Sequence, residues 1–166
     1  MESLNTDFGR GGNPLDLLEE LACANDWPFD RFSESELLLD VSGQWCGYRV
    51  CVVWHSDLSA ILFSCHFEHR VPAGQRDRAG QLLAAANEKL WLGHFELTPE
   101  DGAPLFRHTL PLRGLLGASV EQLEDLLDTA VMECERIYPA LQLVVWAGQP
   151  VAQAIEHAMF EPMGEA

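Results

Sequence analysis

The chain has 166 residues, 48% of them hydrophobic, and this composition fits one domain with a substantial buried core. Its 26 acidic residues against 10 Lys plus Arg give a formal net charge of −16, which argues against nucleic acid as a partner because phosphate backbones are bound by clustered cations. The same charge repels anionic membrane surfaces and leaves basic proteins, peptides or cations as the partners that it favours.

Targeting and redox signals agree with a cytoplasmic protein. No stretch approaches the roughly 20 apolar residues of a membrane-spanning helix. The start, MESLNTDFGRGGNP, has neither the basic region nor the apolar region of a secretory signal. The cysteines are odd in number and scattered through apolar surroundings, which predicts reduced thiols rather than a disulfide framework; they are Cys23, Cys46, Cys51, Cys65 and Cys134.

The first part of the chain predicts a helix followed by three strands. Asn13 is a candidate N-cap and Pro14 a first helical residue, ahead of the apolar face of LDLLEELACA. The run ELLLDVSGQW alternates apolar and polar residues up to a Ser-Gly turn. Two β-rich runs around HSDLS, within YRVCVVWHSDLSAILFSCHFEHRV, then predict a hairpin and hence a three-strand meander.

A second helix is predicted from about Gln75 to Leu92, and Gly93 is placed to end it, since glycine takes a left-handed conformation at little cost. The segment HFEL leaves the helix as a strand, PEDG is a turn, and APLFRHTLPL is a further strand. Alternation places Arg107 with its neighbours Leu105 and Thr109 on one face of that strand.

The last part of the chain is predicted to be helical. Ser119 and Gln122 form a capping box that opens a long acidic helix, and Pro139 is predicted to end it. The segment ALQLVVWAG is either a strand or an extended packing segment, and PVAQAIEHAMF is a short closing helix.

Together these elements predict a single α+β domain, with an antiparallel sheet of about five strands packed against helices in the order α-β-β-β-α-β-β-α plus a C-terminal helix. The domain is expected over residues 13–158, with a flexible N-terminus over 1–12 and a C-terminal tail over 159–166.

No pattern in the chain amounts to a catalytic, metal or cofactor site, so an enzyme is not predicted and no cofactor is expected. The segment CHFEH groups Cys65, His66 and His69, but on a strand Cys65 and His66 point to opposite faces, and His69 lies roughly 13 Å beyond Cys65. The paired ligands typical of zinc sites are missing from the sequence. Phosphate-loop, dinucleotide-binding and nucleophile-elbow motifs are missing too.

Four side chains stand out as candidates. Arg107 is expected either to pair with an acid, Glu88 or Glu96, or to bind a carboxylate of a partner. Asn87 is expected to hold the helix-to-strand turn through bonds to backbone. Most of the five tryptophans should be core, but Trp45 beside a turn and Trp91 near a helix end are candidates for a partner-binding surface.

The order of elements, with NEKLWLGHFEL, GAPLFRHTLPL and SVEQLEDLLDTAVMECERIYPAL, resembles the YbjN family, whose domain is similar to type III secretion chaperones. The resemblance covers residues 13 to about 158 and rests on Asn87, Gly93, Phe95, Arg107 and the long acidic helix. It implies an antiparallel sheet packed on helices, frequent homodimers, and a role in regulation or as a protein-binding chaperone. It supplies no catalytic residues.

Two hypotheses follow. In the first, the protein is a non-enzymatic, homodimeric module that holds a protein client or regulates a partner, and an exposed apolar patch on its acidic surface would mark it. In the second, it is a small-ligand sensor or minor enzyme whose pocket lies between sheet and helices, with Arg107 as the anion-binding group.

Overall fold

The structure, a computed structural model, describes residues 12–160 of the chain. The predicted flexible N-terminus and C-terminal tail fall largely in residues 1–11 and 161–166, which lie outside the described residues. The described elements, in chain order, are α1 (Pro14–Ala24), β1 (Phe29–Arg31), β2 (Glu36–Ser42), β3 (Gly47–His55), β4 (Ala60–Phe67), a 3-10 turn (Ala73–Gln75), α2 (Arg76–Asn87), β5 (His94–Leu97), β6 (Pro104–Pro111), α3 (Val120–Val145) and α4 (Val151–Phe160).

The strands form one open, fully antiparallel sheet in the order β1-β2-β3-β4-β6-β5. The predicted single α+β domain with an antiparallel sheet is therefore confirmed, with six strands rather than about five. The added strand is β1, whose three residues pair with β2 and are too few to show an alternating pattern.

The helices pack on one face of this sheet. Helix α1 contacts β2 and β3, α3 contacts β4 and β6, and α2 contacts β5, while α4 packs against α2 and α3. The layer between them is closely filled, with Leu39, Val50, Phe63 and Phe106 at most 2% exposed. Alternation along each strand puts every second side chain into this layer, so the apolar pattern of the sequence determines which face is covered.

The start of α1 forms as the sequence predicts. Asn13 Oδ1 accepts the N–H of Leu15 at 3.0 Å, and Pro14 occupies the first turn, where its missing N–H costs nothing. Arg31 on β1 reaches back to this helix, with Nη1 at 2.9 Å from Glu19 Oε1 and 3.2 Å from Asp16 Oδ1. These ion pairs fix α1 over the β1 edge of the sheet.

Helix α3 begins at the predicted capping box, where Ser119 Oγ accepts the N–H of Gln122 and Gln122 Oε1 accepts that of Ser119. The prediction that Pro139 ends it was wrong: the helix runs on to Val145. The segment that the sequence left as a strand or an extended stretch therefore supplies the last turns of α3. Leu141, Val144 and Val145 are buried there, and this packing outweighs the one hydrogen bond that a proline removes.

Helix α2 ends at Asn87, five residues before the predicted Leu92. Gly93 has a φ of +69° and lies against the ring of Phe106, which a Cβ at this position would meet at 2.2 Å. A side chain is therefore excluded at Gly93 by both backbone conformation and space. Gly93 therefore lies in the turn that leads into β5, and it does not end helix α2 as the sequence predicted.

Candidate interaction surfaces

The sheet face opposite the helices, here called the outer face, carries no helix in the described part of the chain. Side chains from neighbouring strands meet on it in register: Leu38 beside Cys51, Val53 beside Leu62 and Ser64 beside Arg107. Leu38, Cys51, Val53 and Leu62 are partly exposed and form what we call the apolar band. An apolar strip of this kind, on a chain with a net charge of −16, is the feature that the sequence reasoning named as the mark of a binding module.

Charged side chains border the apolar band and pair across strands. Arg49 Nε lies 3.3 Å from Asp40 Oδ1, and Arg70 Nε lies 2.7 Å from Asp101 Oδ2 in the adjoining loops. All four side chains are more than two-fifths exposed, so water screens both pairs and each contributes little to stability. Together the two pairs place alternating positive and negative charges around the apolar band.

A groove of about 500 Å³ crosses the outer face, lined by residues of β2, β3, β4 and the loop after β4 that include Arg49, Cys51, His66 and Arg70. A second hollow of about 260 Å³ adjoins it at Cys51 and is lined by apolar side chains such as Phe32, Leu38 and Val53. The larger groove therefore lies on the outer face of the sheet, and not between the sheet and the helices as the second hypothesis expected. Arg107 does not line it.

Arg107 lies on the outer face of β6, with half of its side chain exposed. Its Nη1 is 2.9 Å from Glu96 Oε1 on β5, which is one of the two acids that the sequence offered as a partner. His66, one strand away, has a lowered pKa because burial disfavours its charged form, with a smaller effect from the charge of Arg107. His66 is therefore uncharged at neutral pH, and its Nε2 lies 2.9 Å from Ser64 Oγ.

A second surface lies where the β2–β3 turn meets α3, and the carboxylate of Glu135 holds it together. Glu135 accepts the N–H of Gln44 at 2.8 Å, the N–H of Trp45 at 3.4 Å and the hydroxyl of Tyr48. The pKa of Tyr48 is raised far above its ordinary value, first by burial and then by this hydrogen bond. A Cβ on Gly43 would lie 2.2 Å from Glu135 Oε1, so the close approach requires glycine.

Four aromatic side chains line up beside this turn, and we call them the aromatic row: Trp45, Tyr138, His69 and Trp146. The indole of Trp45 lies nearly parallel to the Tyr138 ring with centroids 6.5 Å apart. His69 is 6.3 Å from Tyr138 and 6.4 Å from Trp146. The two outer indoles are 48% and 53% exposed, while Tyr138 is buried between them.

Of these residues, the sequence singled out only Trp45 as a surface candidate. His69 appeared there as a rejected metal ligand and Glu135 only as part of the long acidic helix. Trp146 was among the tryptophans expected to be core, and its exposure contradicts that expectation. One signal in the sequence could have pointed to the row. Trp45, His69 and Trp146 are aromatic residues that each lie in or next to a turn, or at the end of a strand or helix.

The remaining candidates lie at the α2-to-β5 corner. Asn87 Nδ2 donates to the carbonyl of Phe95 at 3.0 Å, and the Phe95 N–H donates to Asn87 Oδ1 at 2.6 Å. Phe95 is buried edge-on against Phe106, with ring centroids 5.8 Å apart. Trp91 is 71% exposed and lies outside both surfaces described above. Asn87, Gly93 and Phe95 thus share one structural corner, and Trp91 and Arg107 are not brought to the aromatic row.

Among residues 12–160, no group of three or more His, Cys, Asp and Glu side chains is placed to hold a metal ion. Cys65, instead of joining His66 or His69, points into the core, where its Sγ lies 3.9 Å from that of Cys134. Burial raises the pKa of Cys134 well above its ordinary value, so both the position and the protonation of this thiol are those of a core side chain. Within the same residues, no helix combines the length and the apolar character needed to cross a membrane.

The fold defines the class first: a single α+β domain with an open six-stranded antiparallel sheet, covered by helices on one side. Residues 14–143 match the family model of YbjN, described as a putative bacterial sensory transduction regulator. The chain belongs to the YbjN family. The crystal structure of YbjN, a putative transcription regulator from E. coli, is similar with a TM-score of 0.52 and 15% identity, over 73% of this chain and 85% of that one. At this identity the similarity concerns the fold. No curated protein matches the chain.

Proposed function

We propose that the protein is a non-enzymatic regulatory module that acts by binding other proteins, in the manner of a chaperone or adaptor, and that it does so as a homodimer. The observation that carries this proposal is the apolar band on an outer face that no described helix covers. Membership of a family described as a putative sensory transduction regulator supports the regulatory part.

The outer face is the surface that we propose for the dimer. Six strands about 4.8 Å apart, with a rise of roughly 3.3 Å per residue, outline an area of roughly 500 Å². Side chains add to this outline, and a standard interface removes roughly 800 Å² from each partner. The area is therefore of the order that a second copy needs.

The charges on this face also suit a second copy. A two-fold interface brings the same patch together with itself, so it must be self-complementary. Arg49 lies beside Asp40 and Arg107 beside Glu96, so either cation of one protomer can meet an acid of its partner around the apolar band. A face of one sign would repel its own copy.

The test is the solution mass of two variants that differ in where they place a charge. Leu62 in the apolar band is 39% exposed, and Met132 on α3, on the helical side of the molecule, is 37% exposed. We expect wild type and Met132→Glu to have twice the monomer mass in light scattering, and Leu62→Glu to have the monomer mass. A monomeric wild type at high micromolar concentration would rule out the dimer, and a dimeric Leu62→Glu would rule out this face.

The protein-binding part is tested by affinity capture from lysate of the source organism at low and high salt, with both variants as baits. A stoichiometric partner that survives high salt on wild type and Met132→Glu supports a tight client. Baits that capture no other protein argue against a tight client.

A second candidate function is sensing of a small anion, and the groove of about 500 Å³ favours it because the cations Arg49 and Arg70 contribute to its lining, beside the uncharged His66. A ligand that binds only the folded state raises the melting temperature. Phosphate and small dicarboxylates should then stabilise wild type and Arg107→Ala but not Arg49→Ala. No shift in wild type would dismiss this candidate.

A further inference from the structure

The aromatic row is held rigidly from beneath. Phe67 lies nearly parallel to Tyr138 with centroids 6.2 Å apart, and Tyr48 meets Phe67 edge-on at 5.5 Å. Glu135 ties the turn that bears Trp45 to the helix that bears Tyr138. The exposure of Trp45 is therefore a property of a fixed turn and not of a loose one.

Half-exposed indoles held in place offer a large apolar area with a polar N–H to a partner, and tryptophan is among the residues that dominate binding energy at interfaces. Two such indoles flank the buried Tyr138 in the row. Three separate segments supply the row: the β2–β3 turn, the loop after β4 and the C-terminal part of α3.

The charges near the row are mainly negative. Glu135 lies beneath Trp45, and Glu68 is exposed with its Oε2 3.4 Å from the amide nitrogen of Gly47 at the start of β3. Burial raises the pKa of Tyr138, and Cys46, Glu68 and Glu135 add smaller electrostatic contributions, so both carboxylates act on this ring. The C-terminal end of α3, which carries partial negative charge, lies at Trp146.

Arg78 lies at the Trp146 end of the row and is already engaged. Arg78 donates from Nη1 to the carbonyl of Val144 at 3.1 Å and from Nη2 to that of Gln149. It caps the end of α3 and so offsets part of the negative charge there, while Glu68 and Glu135 have no Lys or Arg partner among the ion pairs of the described residues.

We propose that the aromatic row binds an arginine-bearing basic segment of a partner protein. Aromatic faces attract cations, and a guanidinium is flat, weakly hydrated and able to stack on an indole while donating to a nearby carboxylate. Glu68 is placed to accept such hydrogen bonds beside Trp45. An acidic segment would meet both carboxylates, and the chain's net charge of −16 would add to the repulsion.

This inference extends the proposed protein-binding role by stating the chemistry of the partner, and it does not depend on the dimer. The row and the apolar band are separate surfaces, so the monomeric Leu62→Glu variant should bind the basic segment as wild type does. Loss of dimer with retained peptide binding, or the reverse, tells the two proposals apart.

The experiment titrates the full chain with a short peptide alternating arginine and glycine, at about 0.15 M salt, where charges more than roughly 8 Å apart are largely screened. The matched peptide has glutamate in place of arginine. Binding is followed by calorimetry. This method does not depend on tryptophan fluorescence, so the tryptophan variants and wild type can be compared directly. We expect the arginine peptide to bind and the glutamate peptide not to bind.

Variants separate stacking from general attraction to an acidic protein. Trp45→Ala and Trp146→Ala should each weaken binding by roughly tenfold, as for an interface hot spot, whereas Trp91→Ala, which removes an even more exposed indole elsewhere, should bind as wild type does. Glu68→Gln keeps the acceptor for Gly47 but loses the charge, and should weaken binding several-fold. Unchanged melting curves confirm that these exposed substitutions leave the fold intact.

Equal affinities of the two row variants and Trp91→Ala would overturn the proposal, because the peptide would then bind only through net charge. The absence of binding by wild type, or equal binding of the glutamate peptide, would overturn it as well.

Discussion

The carboxylate of Glu135 accepts the phenolic hydrogen of Tyr48, which joins the middle of α3 to the start of β3. Two turn amides share the same carboxylate, so Glu135→Ala leaves three donors without their acceptor. We expect a loss of about 2–3 kcal/mol in the free energy of unfolding, since hydrogen bonds to charged groups are worth about 1.5–3 kcal/mol each and are not additive. Urea denaturation measures the loss, and amide exchange should quicken at Gln44 and Trp45. Glu124→Ala, on an exposed part of the same helix, is the control and should change little.

Gly93 and Gly148 allow backbone strain to be separated from steric clash. Both have a positive φ, +69° and +68°, but only Gly93 faces a neighbouring ring. Gly148→Ala should cost roughly 1–2 kcal/mol from the left-handed backbone alone. Gly93→Ala should cost roughly 1–3 kcal/mol more, because its Cβ displaces Phe106. Equal losses in thermal unfolding would contradict the packing at this corner.

Glu133 on α3 is a buried carboxyl whose pKa is raised, first by burial, with Arg136 at 3.3 Å opposing the rise. An acid with a raised folded-state pKa stabilises the fold less as pH rises from its unfolded pKa through its folded one, because the folded state then holds a proton that the unfolded state has lost. We therefore expect Glu133→Gln to be more stable than wild type at neutral pH.

The same comparison below about pH 4, where the carboxyl is protonated in both states, should show no such advantage. Melting temperatures of both proteins across this range give the test. A variant that is less stable at neutral pH would mean that the Arg136 pair outweighs the burial of the charge.

Arg107 and Glu96 form a partly exposed pair, and such pairs contribute little. Arg107→Ala should therefore lower the free energy of unfolding by less than about 1 kcal/mol, and a double-mutant cycle with Glu96→Ala should give a coupling of roughly 0.2–1 kcal/mol. A much larger coupling would indicate that the pair organises the β5 edge.

The five thiols should react in an order set by burial. Cys23 is exposed and should be alkylated first, whereas Cys65 and Cys134 should react only when the protein unfolds. Alkylation with and without denaturant, followed by peptide mass mapping, reads the order. Labelling of Cys134 as fast as Cys23 in the native protein would contradict the packing of α3 on the sheet.

The sequence was informative where local rules and tertiary packing agree. The cap at Asn13, the capping box at Ser119 and the alternation in β3 and β4 each predicted the element that formed. At Pro139 the two disagreed. The local preference of proline predicted that α3 ends there. The apolar residues that follow nevertheless keep helical spacing and are buried against the rest of the domain. Such a conflict is decided by packing, which a single sequence does not display.

The candidate surfaces were less predictable because they join distant positions. Trp45 and Trp146 are separated by a hundred residues, and only the fold of α3 against the β2–β3 turn brings both to one row. The outer face was in principle easier to predict, because the alternation along each strand shows which side chains share a face. The sequence does not say which face the helices cover until the helix contacts are known.

The two outermost strands of the sheet are short: β1 has three residues and β5 has four. A strand that lacks a neighbour exposes N–H and C=O groups that can template the addition of further chains, and brief edges limit how many such groups are in line. Arg31, which draws one edge toward α1, restricts approach there further. The sheet therefore exposes its outer face while its short edges resist the edge-to-edge strand addition that leads to fibrils.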